Sequence, residues 1–224
     1  TGGFGIDCAF LATKFKSAIY VERQQELCEI AAHNFPILNL NHINVKNEDG
    51  VSYLQAMSPV DCIFLDPARR NEHGGKTVAI SDCEPDVAEL EELLLNKAGQ
   101  VMVKLSPMLD LSLALKELQH VQEVHIISAN NECKELLLIL GQASVEEISI
   151  HCVNLPTRGT QEEQHFVFTR EQEQCSECNY TNVLENYLYE PNASLLKAGA
   201  FRSIASAFPV KKLHPNSHLY TSDV

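Results

Sequence analysis

The feature that most constrains this chain is a regular alternation of short apolar runs with amphipathic helical segments over roughly its first 130 residues. Helical periodicity covers 7–16, 24–35, 50–57, 84–97 and 110–119, and in the second of these Leu27, Ile30, Ala31 and Phe35 share a face. Between them lie β-rich runs at 18–21, 43–47, 61–65, 100–105 and 124–127. Parallel strands need crossovers long enough to hold a helix. The rhythm therefore predicts an α/β fold, a Rossmann-like sheet with helices on both faces. Beyond residue 130 it changes. Runs at 134–140, 147–153 and 164–169 follow one another without a helix, which predicts a small antiparallel β region. Residues 171–181 are polar and read as a linker, 193–208 as a helix, and 213–224 as irregular chain ending on a strand start.

Bulk properties narrow the function classes. Apolar residues make up 45% of the 224, enough to build a core. The longest apolar runs, such as 136–140, are far too short to cross a bilayer, and no leader pattern opens the chain. The expectation is a soluble, cytoplasmic protein with no membrane partner. A formal net charge of −13 argues against a broad basic surface for nucleic acid. Residues 190–224 depart from this, with four Lys+Arg against two Asp+Glu. The eight cysteines read as free thiols. Cys175 and Cys178 form a single CxxC that no second pair completes, and the nine histidines show no ligand spacing, so no metal site is expected.

The residues that carry chemistry sit at segment ends. The chain opens Thr1-Gly2-Gly3-Phe4-Gly5-Ile6-Asp7. Such glycines let a backbone turn tightly and approach a ligand ahead of a helix. Glu22 ends the next strand, where a carboxylate can take the two ribose hydroxyls of an adenosine cofactor. NAD and S-adenosylmethionine (SAM) both present that ribose. These residues alone admit either cofactor, or a glycine turn followed by a surface glutamate. Glu48 and Asp49 follow the 43–47 strand, where a carboxylate can accept a hydrogen bond from the adenine amino group. Asp66-Pro67-Ala68-Arg69 closes the 61–65 strand, facing the place of a transferable methyl.

In order and spacing this set resembles the motifs of class I SAM-dependent methyltransferases, over residues 1 to about 140. A closer resemblance is to a bacterial family of proposed RNA methyltransferases with a THUMP-like C-terminal domain. It rests on Leu65 to Arg70, Val103 to Asp110 and Asn131 to Leu136, then on Tyr189 to Ala193, Lys197-Ala198-Gly199 and Ser217 to Asp223. It implies a methyltransferase domain over 1–144 whose first strand and its Asp precede Thr1. It further implies a small ferredoxin-like antiparallel insert over 145–170, a linker over 171–188 and the opening of a THUMP-like domain over 189–224. SAM is then the cofactor, held by Gly2, Gly3, Gly5, Asp7, Glu22, Glu48, Asp49 and Asp66, and RNA the partner.

The resemblance leaves the acceptor atom open. Asp66-Pro67-Ala68-Arg69 is similar to the Asn/Asp-Pro-Pro-aromatic motif of enzymes that methylate exocyclic amines, with Arg69 in the aromatic position. C5-uracil methyltransferases share part of that motif but need a cysteine after the fifth strand, where this chain has Lys104-Leu105-Ser106-Pro107. Ribose 2′-O-methyltransferases with a Lys-Asp-Lys-Glu tetrad are similar at Asp66, Lys104 and Glu132 or Glu135, and a lysine among carboxylates can deprotonate or orient a hydroxyl. Asp66, Pro67, Lys104 and Glu132 are accordingly the candidate catalytic residues. Arg69, Arg70 and Lys76 are the candidate substrate grips. A non-catalytic SAM-binding or scaffold domain, and a methyltransferase acting on a protein or small molecule, are the alternatives.

Overall fold

The structure, a computed structural model, describes residues 1–69, 79–156 and 162–224, without the side chain of Arg69. In chain order the first elements are α1 (Ile6–Ala12), β1 (Ala18–Glu22), α2 (Gln25–Ile37), β2 (Ile43–Asn47), α3 (Gly50–Ala56) and β3 (Val60–Leu65). The short β4 (Ala68–Arg69) and β5 (Cys83–Glu84) follow, then α4 (Val87–Lys97), β6 (Ala98–Leu105), α5 (Leu111–Glu117), β7 (Val121–Ala129) and β8 (Glu132–Gly141). The chain continues with β9 (Ser149–Leu155), β10 (Gln164–Thr169), α6 (Arg170–Cys175), β11 (Tyr187–Tyr189), α7 (Ala193–Ala198), α8 (Phe201–Ala207), β12 (Lys211–Lys212) and β13 (Tyr220–Ser222). The fold is α/β and Rossmann-like, as the alternation predicts, and it divides into two compact units, Thr1–Val101 and Met102–Val224.

In the first unit β1 and β2 run parallel, in register from Ala18↔Ile43 to Glu22↔Asn47. α2, the crossover between them, lays Cys28, Ala31 and Phe35 into a cluster with Tyr20 and Leu40, where the Tyr20 and Phe35 rings meet edge to face at 5.6 Å. The buried stripe is rotated by about one residue from the expected one, so Ile30 is 41% exposed while Cys28 is inside, its thiol directed at the Glu22 carbonyl. β4 pairs antiparallel with β5, and β3 lies beside β6. α4 starts at Val87 and not at Glu84, because the Asp86 carboxylate caps it through Ala88 N at 2.9 Å.

In the second unit the strands follow in the order β6-β8-β7-β9-β10. β7 and β8 form an antiparallel hairpin whose turn residues, Asn130 and Asn131, both have positive φ (52° and 61°). A two-residue hairpin turn of the favoured twist requires this, and Asn tolerates it best after Gly. β9 pairs parallel with β7 and antiparallel with β10. The strands of 145–170 thus extend the large sheet instead of standing apart from it. Leu136, Leu138, Leu140, Val124 and Ile126 are wholly buried.

Two further expectations change. The start of the predicted linker is helix α6, because Thr169 and Gln172 cap it reciprocally. The predicted 193–208 helix breaks at Gly199, whose φ of 73° ends α7 before α8 begins. β11, β13 and β12 form a small antiparallel sheet, so part of 213–224 is regular.

Candidate active site

The first unit gathers most of the predicted cofactor residues where β1, β2 and β3 end, the edge at which α/β sheets hold ligands. The glycine loop is fastened there. Gly2 N donates to the Val21 carbonyl at 2.9 Å, the Tyr20 hydroxyl donates to the Gly3 carbonyl, and Ala9 N closes the first turn of α1 on Gly5 O at 2.8 Å. Gly5 has φ 78° and its Cβ position lies 2.8 Å from the Phe35 ring, so no other residue fits without movement. Gly3 differs. It has φ 53°, and a Cβ built on it meets nothing within 4 Å. The backbone at Gly3 is therefore both left-handed and open to approach, as a loop that cradles an adenosyl cofactor needs.

Glu22 is the electrostatic centre of this edge. It is 7% exposed, yet its carboxylate accepts from Gly3 N at 2.9 Å through Oε2 and from Gln24 N at 3.0 Å through Oε1. Burial pushes its pKa up, but the backbone N–H groups of Gln24 and Gly3, the nearby Thr1 amino group and the Arg23 N–H together hold it below the ordinary 4.5. The side chain is thus a buried carboxylate, and each oxygen keeps a second lone pair for a further donor. Its backbone carbonyl takes Glu48 N at 3.1 Å and Asn47 Nδ2 at 3.0 Å, which joins the ends of β1 and β2.

The other predicted residues fall around it. Asp7 is half-buried in the first turn of α1. Glu48 is exposed. Asp49 caps α3, its Oδ1 accepting from Ser52 N at 2.9 Å, and that backbone bond lowers its pKa. Asp66 is half-buried directly after β3, and Pro67 is buried. Asp66 N donates to Thr1 Oγ1 at 2.9 Å, which ties the end of β3 to the glycine loop. Arg69 stands in β4 opposite Cys83, while Arg70 and Lys76 lie outside the described residues.

In the second unit Lys104 is half-buried in β6, and Glu132 opens β8 at the surface, paired with Lys134 Nζ at 2.6 Å. Sequence reasoning missed Tyr20, which fastens the loop; an aromatic hydroxyl in a short buried strand was the available signal. It also missed the structural work of the downstream motifs. Asn131 Oδ1 accepts from Ala193 N at 2.7 Å, and Lys197 Nζ donates to the Leu109 carbonyl at 2.6 Å. The thiols are unremarkable: burial and the neighbouring Asp7 carboxylate push Cys8 to about 11, and burial pushes Cys152 to about 12.

Comparison with known proteins bears on this arrangement. The chain is similar to a proposed methyltransferase of known structure from Porphyromonas gingivalis W83, at 40% identity and a TM-score of 0.88, over 100% of this chain and 56% of that one. It therefore spans little more than half the length of that relative. Weaker likenesses are to an rRNA methylase from Streptococcus thermophilus (14% identity, TM-score 0.43, 64% of this chain and 84% of that one) and to a proposed Streptococcus mutans methyltransferase in complex with SAH (15%, 0.44, 62% and 84%). No curated protein matches. A ferredoxin-like domain family matches residues 187–224.

Proposed function

We propose that this chain forms the cofactor-binding part of a SAM-dependent methyltransferase acting on RNA. The observation that carries the reading is the buried, ionised Glu22 bonded to Gly3 N beneath a glycine loop left open at Gly3. When bound, SAM supplies a sulfonium methyl for direct transfer to a nucleophile. The chain's residues do the rest. Glu22 takes the ribose hydroxyls, Asp49 or Glu48 the adenine amino group, and Gly3 and Gly5 give the backbone its approach. Asp66 and Pro67 orient the acceptor, which is chiefly a matter of positioning. Arg69, Arg70 and Lys76 hold phosphates. The relative from Porphyromonas gingivalis supports the reaction class; the RNA acceptor rests on the sequence resemblance.

Calorimetry decides the cofactor. SAM and SAH should bind more tightly than NAD, and Glu22→Ala should weaken SAM by about 1.5–3 kcal/mol, the worth of a charge-assisted contact. Tighter NAD binding would replace this reading with a dinucleotide-binding one. Transfer of labelled methyl from SAM to RNA of a strain lacking the protein tests the acceptor, and loss of label on ribonuclease treatment is the expected result.

A further inference from the structure

Four ionisable side chains from three strands meet on one face of the second unit's sheet. β7 carries Glu123 and His125, β9 carries His151, and β10 carries His165. Strand pairing brings them together. His125 and His151 are direct partners in the parallel β7/β9 ladder, and β10 continues the sheet beside β9. Because side chains alternate along a strand, His125 stands on the face opposite the wholly buried Val124 and Ile126, and it is itself half-buried. No sequence spacing announces this group, since its histidines are 26 and 14 residues apart and only the ladder sets them side by side.

The polar contacts within the group are short, and His151 Nε2 also lies 3.2 Å from Ser149 Oγ. Glu123 Oε2 lies 3.0 Å from His125 Nε2, and His151 Nδ1 lies 3.4 Å from His165 Nε2. Ligand atoms on a tetrahedral zinc ion, about 2.0–2.1 Å from the metal, are themselves about 3.4 Å apart. One ligand atom each from Glu123, His125 and His151 already fall within 4.8 Å of one another. The geometry points to a divalent transition-metal site of the zinc type, with Glu123, His125 and His151 as ligands and His165 at its rim.

Chemistry favours this over an ordinary surface cluster. Two imidazoles and a carboxylate make a borderline donor set, suited to Zn²⁺, Ni²⁺ or Cu²⁺ and not to the all-oxygen preference of Ca²⁺ or Mg²⁺. The His125 and His151 rings are stacked, with centroids 4.5 Å apart and planes 14° from parallel. An ion bound in the plane of both rings requires one of them to turn about χ2, a torsion with broad wells in histidine. Three ligands leave a fourth position for His165 or water.

The test uses the full 224-residue chain, stripped of metal by chelator and titrated with Co²⁺ followed optically and with Zn²⁺ by calorimetry. One equivalent should bind, with a ligand-field spectrum lacking a thiolate charge-transfer band. His125→Phe and His151→Phe keep a ring in the stack but remove its nitrogens. Each should weaken binding by about a hundredfold or more, beyond what loss of an outer partner costs. Glu123→Gln, the gentler change, should weaken it at least about tenfold with the circular dichroism spectrum unchanged. The paired Cys175→Ser, Cys178→Ser variant should bind as the wild type does. Absence of binding, or binding that the cysteine variant abolishes and the histidine variants leave intact, overturns the proposal.

Discussion

The two units solve opposite problems with the same kind of element. In the second, Val124 and Ile126 of β7 and Leu136, Leu138 and Leu140 of β8 are wholly buried. Its turns and caps add joints to that core, such as Asn131 to Ala193 and Lys197 to Leu109. The first also has wholly buried residues, Ile80, Val87, Leu94 and Val101, but the cluster beneath its glycine loop, around Tyr20, Ala31 and Phe35, is small, and Phe4, Ile6 and Phe10 are each more than 60% exposed. Its strand ends are crowded instead with polar groups aimed at one edge. Burial of apolar area drives folding, whereas an edge that receives a ligand must leave backbone and carboxylate groups reachable. The contrast teaches that the β7–β8 core rests on apolar burial and the candidate cofactor edge on placed polar groups.

The largest expected effect tests the first half of that statement. Leu138 is 0% exposed in the centre of β8. Leu138→Ala removes its transfer free energy and leaves a cavity, so denaturant unfolding should show a loss of about 2–5 kcal/mol. Native-state hydrogen exchange on the wild-type protein should show the slowest amides in β7, β8 and β9 and faster ones in β1 and β2. Equal protection in both would break the comparison.

Next in size is Glu22→Ala, read on stability rather than on cofactor affinity. It leaves Gly3 N and Gln24 N without their carboxylate, and a lost buried acceptor costs about 1–3 kcal/mol. Exchange should accelerate at β1 and the glycine loop while β7 and β8 amides keep their rates. A uniform acceleration would mean that the units unfold as one. Smaller again is Gly5→Ala, where φ of 78° and the Phe35 ring at 2.8 Å both oppose a Cβ. Left-handed strain costs about 1–3 kcal/mol, with the lower end expected here because the Phe35 ring can shift. A melting temperature equal to wild type would show that the loop is not held as described.

How much of this was legible in the sequence follows from which forces act locally. The β1–α2–β2 unit could be read because alternation and helical period are local, and Glu22 could be placed because a strand end is a local feature. α6 was missed because its signal is a capping box inside a polar stretch with no apolar period, and the Gly199 break because one glycine inside a helical pattern is often tolerated. The His125–His151 pairing could not be read at all. Parallel register between strands separated by a hairpin is fixed by packing, which sequence spacing does not encode. The same holds for the Glu22 to Gly3 bond, since the sequence places both at one edge but not within 2.9 Å of each other.

The smallest expected effect is the response of the candidate cofactor edge to acid. Glu22 and Asp49, both in the first unit, have pKa values held below their ordinary 4.5 and 3.8. For Glu22 burial opposes the shift and the backbone bonds and the Thr1 amino group together overcome it, and for Asp49 the Ser52 N–H leads. A carboxylate whose folded pKa is depressed gives up its proton more readily in the folded state. Its contribution is complete above the unfolded pKa and is lost as pH falls through the folded one, because the unfolded chain then binds more protons. Between neutral pH and about 4.5 these two groups should leave stability flat, and below that it should decline. The decline should appear first as faster exchange in β1, the glycine loop and the α3 N-terminus. Glu22→Gln stays uncharged over the whole range, so it should lower stability at neutral pH and flatten the profile below 4.5. If the variant and wild-type profiles run parallel through that window, the Glu22 carboxylate is not held by Gly3 and Gln24, and the division of labour between the units loses its electrostatic basis.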